Sequence, residues 1–298
     1  MPELGSRLRE MALTHADSLD ALRAFVDTMH RKIDEDTAST ASLATRFSEE
    51  LKSGADTITF QIRDRNVELT RSEFDMIVEA VNFSGEAQQH FPKILLEMAF
   101  IYRVALYDAL LPDVLLAVLT ENSDMLKSRK KTMTHQEILE MPDRASILEA
   151  MASKEIHDFG YSSTADQVRW LEDRFGITLL SEPADMEQLA ELMARRNLLV
   201  HANGIVNASY LRQVASNSAI GERLSVDEEY WRRCDEVLTR VAEKLLREVT
   251  KRFLPGSEPP SVRMSRRSQR LIAEAMTRMG AHNTADTQNE APGAQHEP

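Results

Sequence analysis

A guanidinium, an amide and an imidazole, those of Arg196, Asn197 and His201, fall within six consecutive positions. An imidazole titrates near neutrality and a guanidinium keeps its charge, so such a segment can hold a fixed cation close to a group able to move a proton. Spacing alone discriminates poorly. Arg9 and His15, Arg23 and His30, and Arg129 and His135 stand at comparable separations. Metal chemistry has less to work with: the eight His are scattered with no pair at helical i,i+4 spacing, and Cys234 is the one thiol. No metal site and no cofactor are expected.

The element that must position these residues is a helix opening at Asp185, read as its N-cap, and running to about Val200. At about 100° per residue, Met186, Leu189, Met193 and Val200 form an apolar stripe. On that wheel Arg196 and Asn197 lie on the margins of the stripe, while Arg195 points away into solvent. Arg196 and His201 diverge by about 140° if the helix is continuous through both. Either the helix ends near Val200 and Gly204 turns the chain, or each residue serves a different part of a site. A site built across a two-fold axis suits this divergence.

The run Arg196-Asn197-Leu198-Leu199-Val200-His201, with Asn203, Gly204, Asn207 and Tyr210 downstream, resembles the HEPN superfamily. Its pattern is an Arg, a polar residue, then a His after four to six positions, within a helical bundle. The resemblance spans about residues 88–252, including Tyr107 and Asp108 on an apolar helix. It implies a metal-independent endoribonuclease, a toxin or phage-defence effector acting on RNA as a homodimer, with an antitoxin or regulatory partner. It also implies roles. His201 would transfer a proton as a ribose 2′-hydroxyl attacks the adjacent phosphate, Arg196 would hold that phosphate, and Asn197 would bond it or orient Arg196. One toxin branch carries a Tyr two residues after the His; Asn203 stands there instead. The superfamily also holds silent members that only dimerise or bind nucleotides or partners, which is the alternative reading.

Composition sets the fold class. The 298 residues contain only 10 Gly and 10 Pro, too few for many tight turns, so the chain is predicted to be mainly α. The net charge of -12 argues against nonspecific coating of nucleic acid, and residues 1–90 are the most acidic part. Three regions are expected: 1–87 as a helix, hairpin and helix extension, 88–254 as a helical bundle, and 255–298 as a flexible tail. In the first, 18–52 reads as helix. Ile58, Phe60 and Ile62 then alternate up to a turn at Arg63 to Asn66, and Thr70 to Glu73 matches a capping box. From Pro92 an apolar helix runs to about Leu111, where Pro112 breaks or kinks it. Its charges, Glu97, Arg103 and Asp108, argue against a membrane span. No basic and apolar leader precedes the first helix, and one Cys suggests a reducing compartment, so a cytoplasmic protein is expected.

Further binding positions are Asn203, Asp108 and the basic run Lys127, Arg129, Lys130 and Lys131. For each a plainer reading competes: turn chemistry for Asn203, a polar intrusion on a helix for Asp108, a solvated loop for the basic run. Trp170 and Trp231 could stack bases but sit on amphipathic helices, where packing is the expectation. A winged-helix entry at 68–74 would make a DNA-binding regulator, yet no basic recognition helix follows it.

Overall fold

The computed structural model describes residues 3–53, 57–62, 65–127 and 132–274. These are mainly helical, as predicted. The chain begins with α1 (Leu4–Ser53), a hairpin of β1 (Thr57–Ile62) and β2 (Arg65–Thr70), α2 (Arg71–Gln88) and α3 (Phe91–Glu121). There follow α4 (His135–Leu139), α5 (Arg144–Gly160), α6 (Thr164–Phe175), α7 (Pro183–Ala202), α8 (Ala208–Gln213) and α9 (Glu228–Phe253). Another helical segment covers 266–274.

Local chemistry explains most of the ends. Thr70 and Glu73 form the expected capping box, Glu73 accepting from the Thr70 amide at 2.9 Å and the Glu73 amide reaching Thr70 Oγ1 at 3.4 Å. Gly176 ends α6 in the left-handed region (φ 64°), its amide donating to Glu172 and that of Ile177 to Leu171. The hairpin turn is tighter than expected. Arg65 and Asn66 already pair with Ile62 and Gln61, while Arg63 and Asp64 lie outside the described residues. Helix α1 begins at Leu4 and not near residue 18, because Leu4, Leu8, Ala12 and Leu19 continue one buried stripe.

Pro112 does not end α3. The helix continues to Glu121 at the cost of one backbone hydrogen bond. Beyond it Val114, Leu115, Val118 and Leu119 are all buried, and burying such side chains is worth about 1.5–3 kcal/mol each, enough to offset that loss.

The chain divides into two compact units. The first comprises 1–20, 105–190 and 236–298; the second comprises 21–104 and 191–235. The expected boundaries at 87/88 and 254/255 do not coincide with this division. Nor is 255–274 a free tail. Ser261 Oγ and the Val262 amide donate to Glu243, and the Arg266 amide and guanidinium donate to Asp17. Residues 275–298 lie outside the described residues.

The first unit is built on the apolar faces of α5, α6 and α9 with the start of α1 and the end of α3. Phe159, Trp170, Phe175 and Phe253 form a chain of ring contacts within it, which accounts for Trp170 as a packing residue. In the second unit Phe100 meets Tyr230 edge-on at 5.5 Å, and Trp231 and Cys234 are buried. Burial pushes the Cys234 thiol up to about 12, which leaves it unreactive.

Candidate functional site

Helix α7 starts at Pro183, a residue suited to the first helical position because its missing N–H had no helical partner to lose. Asp185 therefore lies in the first turn and is not the N-cap; it pairs with Arg240 at 3.0 Å. The helix runs without interruption through Arg196 and His201 to Ala202, two residues past its expected end. Arg196 and His201 thus sit on one continuous helix and diverge on it.

The buried face of α7 turns at the boundary between the units, after Ala190. Leu189 is buried as expected, but from Glu191 onward the buried positions are Leu192, Ala194, Leu198 and Leu199. Arg195, expected in solvent, lies on that inward face. Its guanidinium meets Glu191 at 2.8 Å, donates to the Ser225 carbonyl at 3.1 Å and lies over the Tyr230 ring, 4.6 Å from its centre. The Glu191 carboxylate also accepts from Tyr210 at 3.0 Å and Tyr230 at 2.6 Å. Burial, reinforced by that carboxylate, raises both tyrosine hydroxyls from their ordinary values, Tyr230 the more strongly. This cluster is saturated and holds the helix; it offers no free group for chemistry.

The opposite face carries the residues singled out from the sequence. Asn197 and His201 are exposed, Val200 is 48% exposed, and Arg196 and Met193 are half-buried beside them. Among the described residues neither Asn197 nor His201 makes a side-chain hydrogen bond. So the Met193–Val200 stripe, read as core, is a surface stripe interleaved with polar groups.

The turn after His201 is set by two left-handed residues, Asn203 (φ 49°) and Gly204 (φ 76°). The Gly204 amide donates to Leu198 at 3.1 Å, and a short antiparallel ladder follows. In it Leu224 donates to Gly204 at 2.9 Å and Val206 to Glu222 at 2.8 Å. Arg223 clamps the turn, donating to the Asn203 carbonyl at 3.0 Å and pairing with Glu97 at 3.2 Å. Asn207 caps α8 through the Ser209 and Tyr210 amides. Asn203 and Asn207 are therefore turn and cap residues. A Cβ on Gly204 would lie 2.6 Å from the Leu224 carbonyl oxygen. Gly204→Ala is expected to lower stability by about 1–3 kcal/mol, a loss readable in chemical denaturation.

The other binding positions divide. Asp108 is half-buried on the part of α3 that belongs to the first unit. Lys127, also in the first unit, is engaged by Asp124 at 2.6 Å. Arg129, Lys130 and Lys131 lie outside the described residues.

Sequence reasoning missed two things: the Glu191–Arg195–Tyr210–Tyr230 cluster, and a second buried network. In the latter Arg103, wholly buried, donates to Asp235 at 2.7 Å, and Arg23 donates to the other carboxylate oxygen at 2.7 Å. The signal for the second was visible as a charge inside the most apolar helix. Among the described residues no group of three His, Cys, Asp or Glu could hold a metal ion, and no helix is long and apolar enough to cross a membrane. Compared with protein-family models, curated proteins and solved structures, the chain matches none.

Proposed function

We propose that the outer face of α7, with Arg196, Asn197 and His201, is the site of a metal-independent endoribonuclease of HEPN type, completed by a second copy of the chain. The observation that carries this reading is the exposure of an unengaged imidazole and amide on the last two turns of a continuous helix, beside a half-buried guanidinium. On one helix Arg196 and His201 diverge by about 140°, which points them away from a common phosphate. Two copies related by a two-fold axis can bring them together, with Arg196 of one protomer beside His201 of the partner subunit.

Exposed apolar positions in the same unit support the dimer. Val200 and Ile205 are 48% and 44% exposed, and on α3 in the same unit Phe91, Ile94, Met98 and Tyr102 form an exposed stripe at helical spacing. Val200→Asp is expected to convert a dimer at micromolar concentration into a monomer, read by sedimentation.

The decisive test mixes two inactive variants. Co-refolded Arg196→Ala and His201→Ala chains should regain about a quarter of wild-type RNA cleavage, since half the dimers are mixed and each holds one intact pair. Failure of all mixtures, with wild type active, rules out the shared site. The exposed apolar stripes also favour a second reading, a silent dimerisation module. Wild type that dimerises but leaves single-stranded and structured RNAs intact would establish it.

A further inference from the structure

The first unit contains a cleft of about 450 Å³ between the start of α1 and the second half of α3. That volume falls among small-molecule sites, about 300–1,000 Å³. Met11, Leu106, Ala109 and Leu110 give it an apolar floor.

The charges around the floor are not balanced. Arg7 is taken by Thr120 Oγ1 at 2.9 Å and by Glu121 at 3.9 Å, and Glu10 is taken by Arg266. His15 is buried in the α1 wall. Asp113 at the α3 end makes no hydrogen bond or ion pair among the described residues. Asp113 lines the cleft while remaining exposed, and partial desolvation raises its carboxyl from its ordinary value, so a cation seated over the floor would meet an unpaired carboxylate. An anionic ligand would meet Asp113 with the Arg7 and Arg266 guanidinia already engaged. A neutral apolar ligand would cover Asp113 without answering its charge.

We propose that this cleft binds a small amphiphilic amine, its hydrocarbon body on Met11, Leu106, Ala109 and Leu110 and its ammonium group paired with Asp113. The site is independent of α7 and of the ribonuclease reading. Nothing in it requires catalysis.

Titration calorimetry of the full chain with n-octylammonium chloride tests it, with sodium octanoate and 1-octanol as matched probes. Octylammonium should bind saturably at one per chain, at least about tenfold tighter than either other probe, as a charge-assisted contact requires. Asp113→Asn should remove that preference, and Ala109→Phe, which fills the cleft from an exposed helix position, should abolish binding. Glu187→Gln, an equal charge change on another exposed helix position, should leave it intact. Circular dichroism and thermal melting confirm that each variant is folded. Equal binding of octanoate, an equal loss in Glu187→Gln, or binding that survives Ala109→Phe would overturn the proposal. So would absence of saturable binding. Conversion of a dimer to a monomer by Ala109→Phe would show the cleft to be an interface between copies, which also overturns it.

Discussion

His201→Ala and Arg196→Ala are each expected to lower RNA cleavage by about 100-fold or more, with EDTA present throughout. On the proposed mechanism the first would remove the group that moves the proton of the attacking 2′-hydroxyl, and the second the charge that stabilises the pentavalent phosphate. His201 is exposed and Arg196 half-buried beside it, so His201→Ala should keep the wild-type far-ultraviolet spectrum and melting temperature within a few degrees, and Arg196→Ala should keep the spectrum with a modest loss in melting temperature. The 5′ fragments should end in a 2′,3′-cyclic phosphate or its opened form, since the proposed nucleophile is the 2′-oxygen. RNA carrying a 2′-O-methyl group at the cut position should resist. Cleavage that persists on 2′-O-methyl RNA, or that EDTA abolishes, would falsify this assignment. Asn197→Ala should fall between these variants and wild type, because a neutral hydrogen bond contributes less than a charge.

The largest expected effect on stability comes from Asp235→Ala. Arg103 is wholly buried and its guanidinium depends on this carboxylate, which is 17% exposed and shared with Arg23. Removing one partner strands a buried cation and should cost about 3–5 kcal/mol. Replacing Arg103 and Asp235 together by Leu should cost clearly less than Asp235→Ala, since the wholly buried cation then leaves with its carboxylate and Arg23, 35% exposed, stays within reach of water. The same network sets a pH dependence. Burial opposes ionisation of Asp235, but hydrogen bonds from Arg23 and Arg103 outweigh it and hold the carboxyl below its ordinary value. A carboxyl depressed in the folded state stabilises fully above its unfolded pKa, about 4, and loses that contribution as pH falls toward the folded value. Melting temperature should therefore drop on acidification below about pH 4. In Asp235→Asn that acid limb should be shallower. An acid limb identical to wild type would exclude Asp235 as its source.

Much of the architecture was legible because its causes are local. The capping box at Thr70, the left-handed exit at Gly176 and the alternation of the hairpin each depend on residues a few positions apart. What was hidden depends on distant partners. Nothing near Glu191 announces that Tyr210 and Tyr230 will both donate to it, and Arg103 meets a carboxylate more than a hundred positions away. The face of α7 was misread for a related reason. A helical wheel assumes one neighbour along the whole helix, whereas residues up to Ala190 and from Glu191 onward belong to different units. Leu189 obeyed the wheel, while Arg195 and Val200 exchanged their expected sides. The residues singled out for chemistry, Arg196, Asn197 and His201, were chosen by type, helix position and resemblance, and Asn197 and His201 are exposed while Arg196 is half-buried.

Helix C-termini ordinarily fray, because their last carbonyls lack intrahelical partners. The last turn of α7 is denied that freedom. The Gly204 amide closes on Leu198, the ladder to 222–224 continues the pairing, and Arg223 grips the Asn203 carbonyl from outside. Deuterium should therefore enter the Gly204, Val206 and Leu224 amides slowly and at matched rates, whereas Ser209, bonded only to a side chain at Asn207, should exchange early. The backbone under His201 would then be held, and the imidazole would move by rotation about its own two side-chain bonds alone. Any ordering entropy still owed when a ligand arrives would be that of one side chain and not of a helix end.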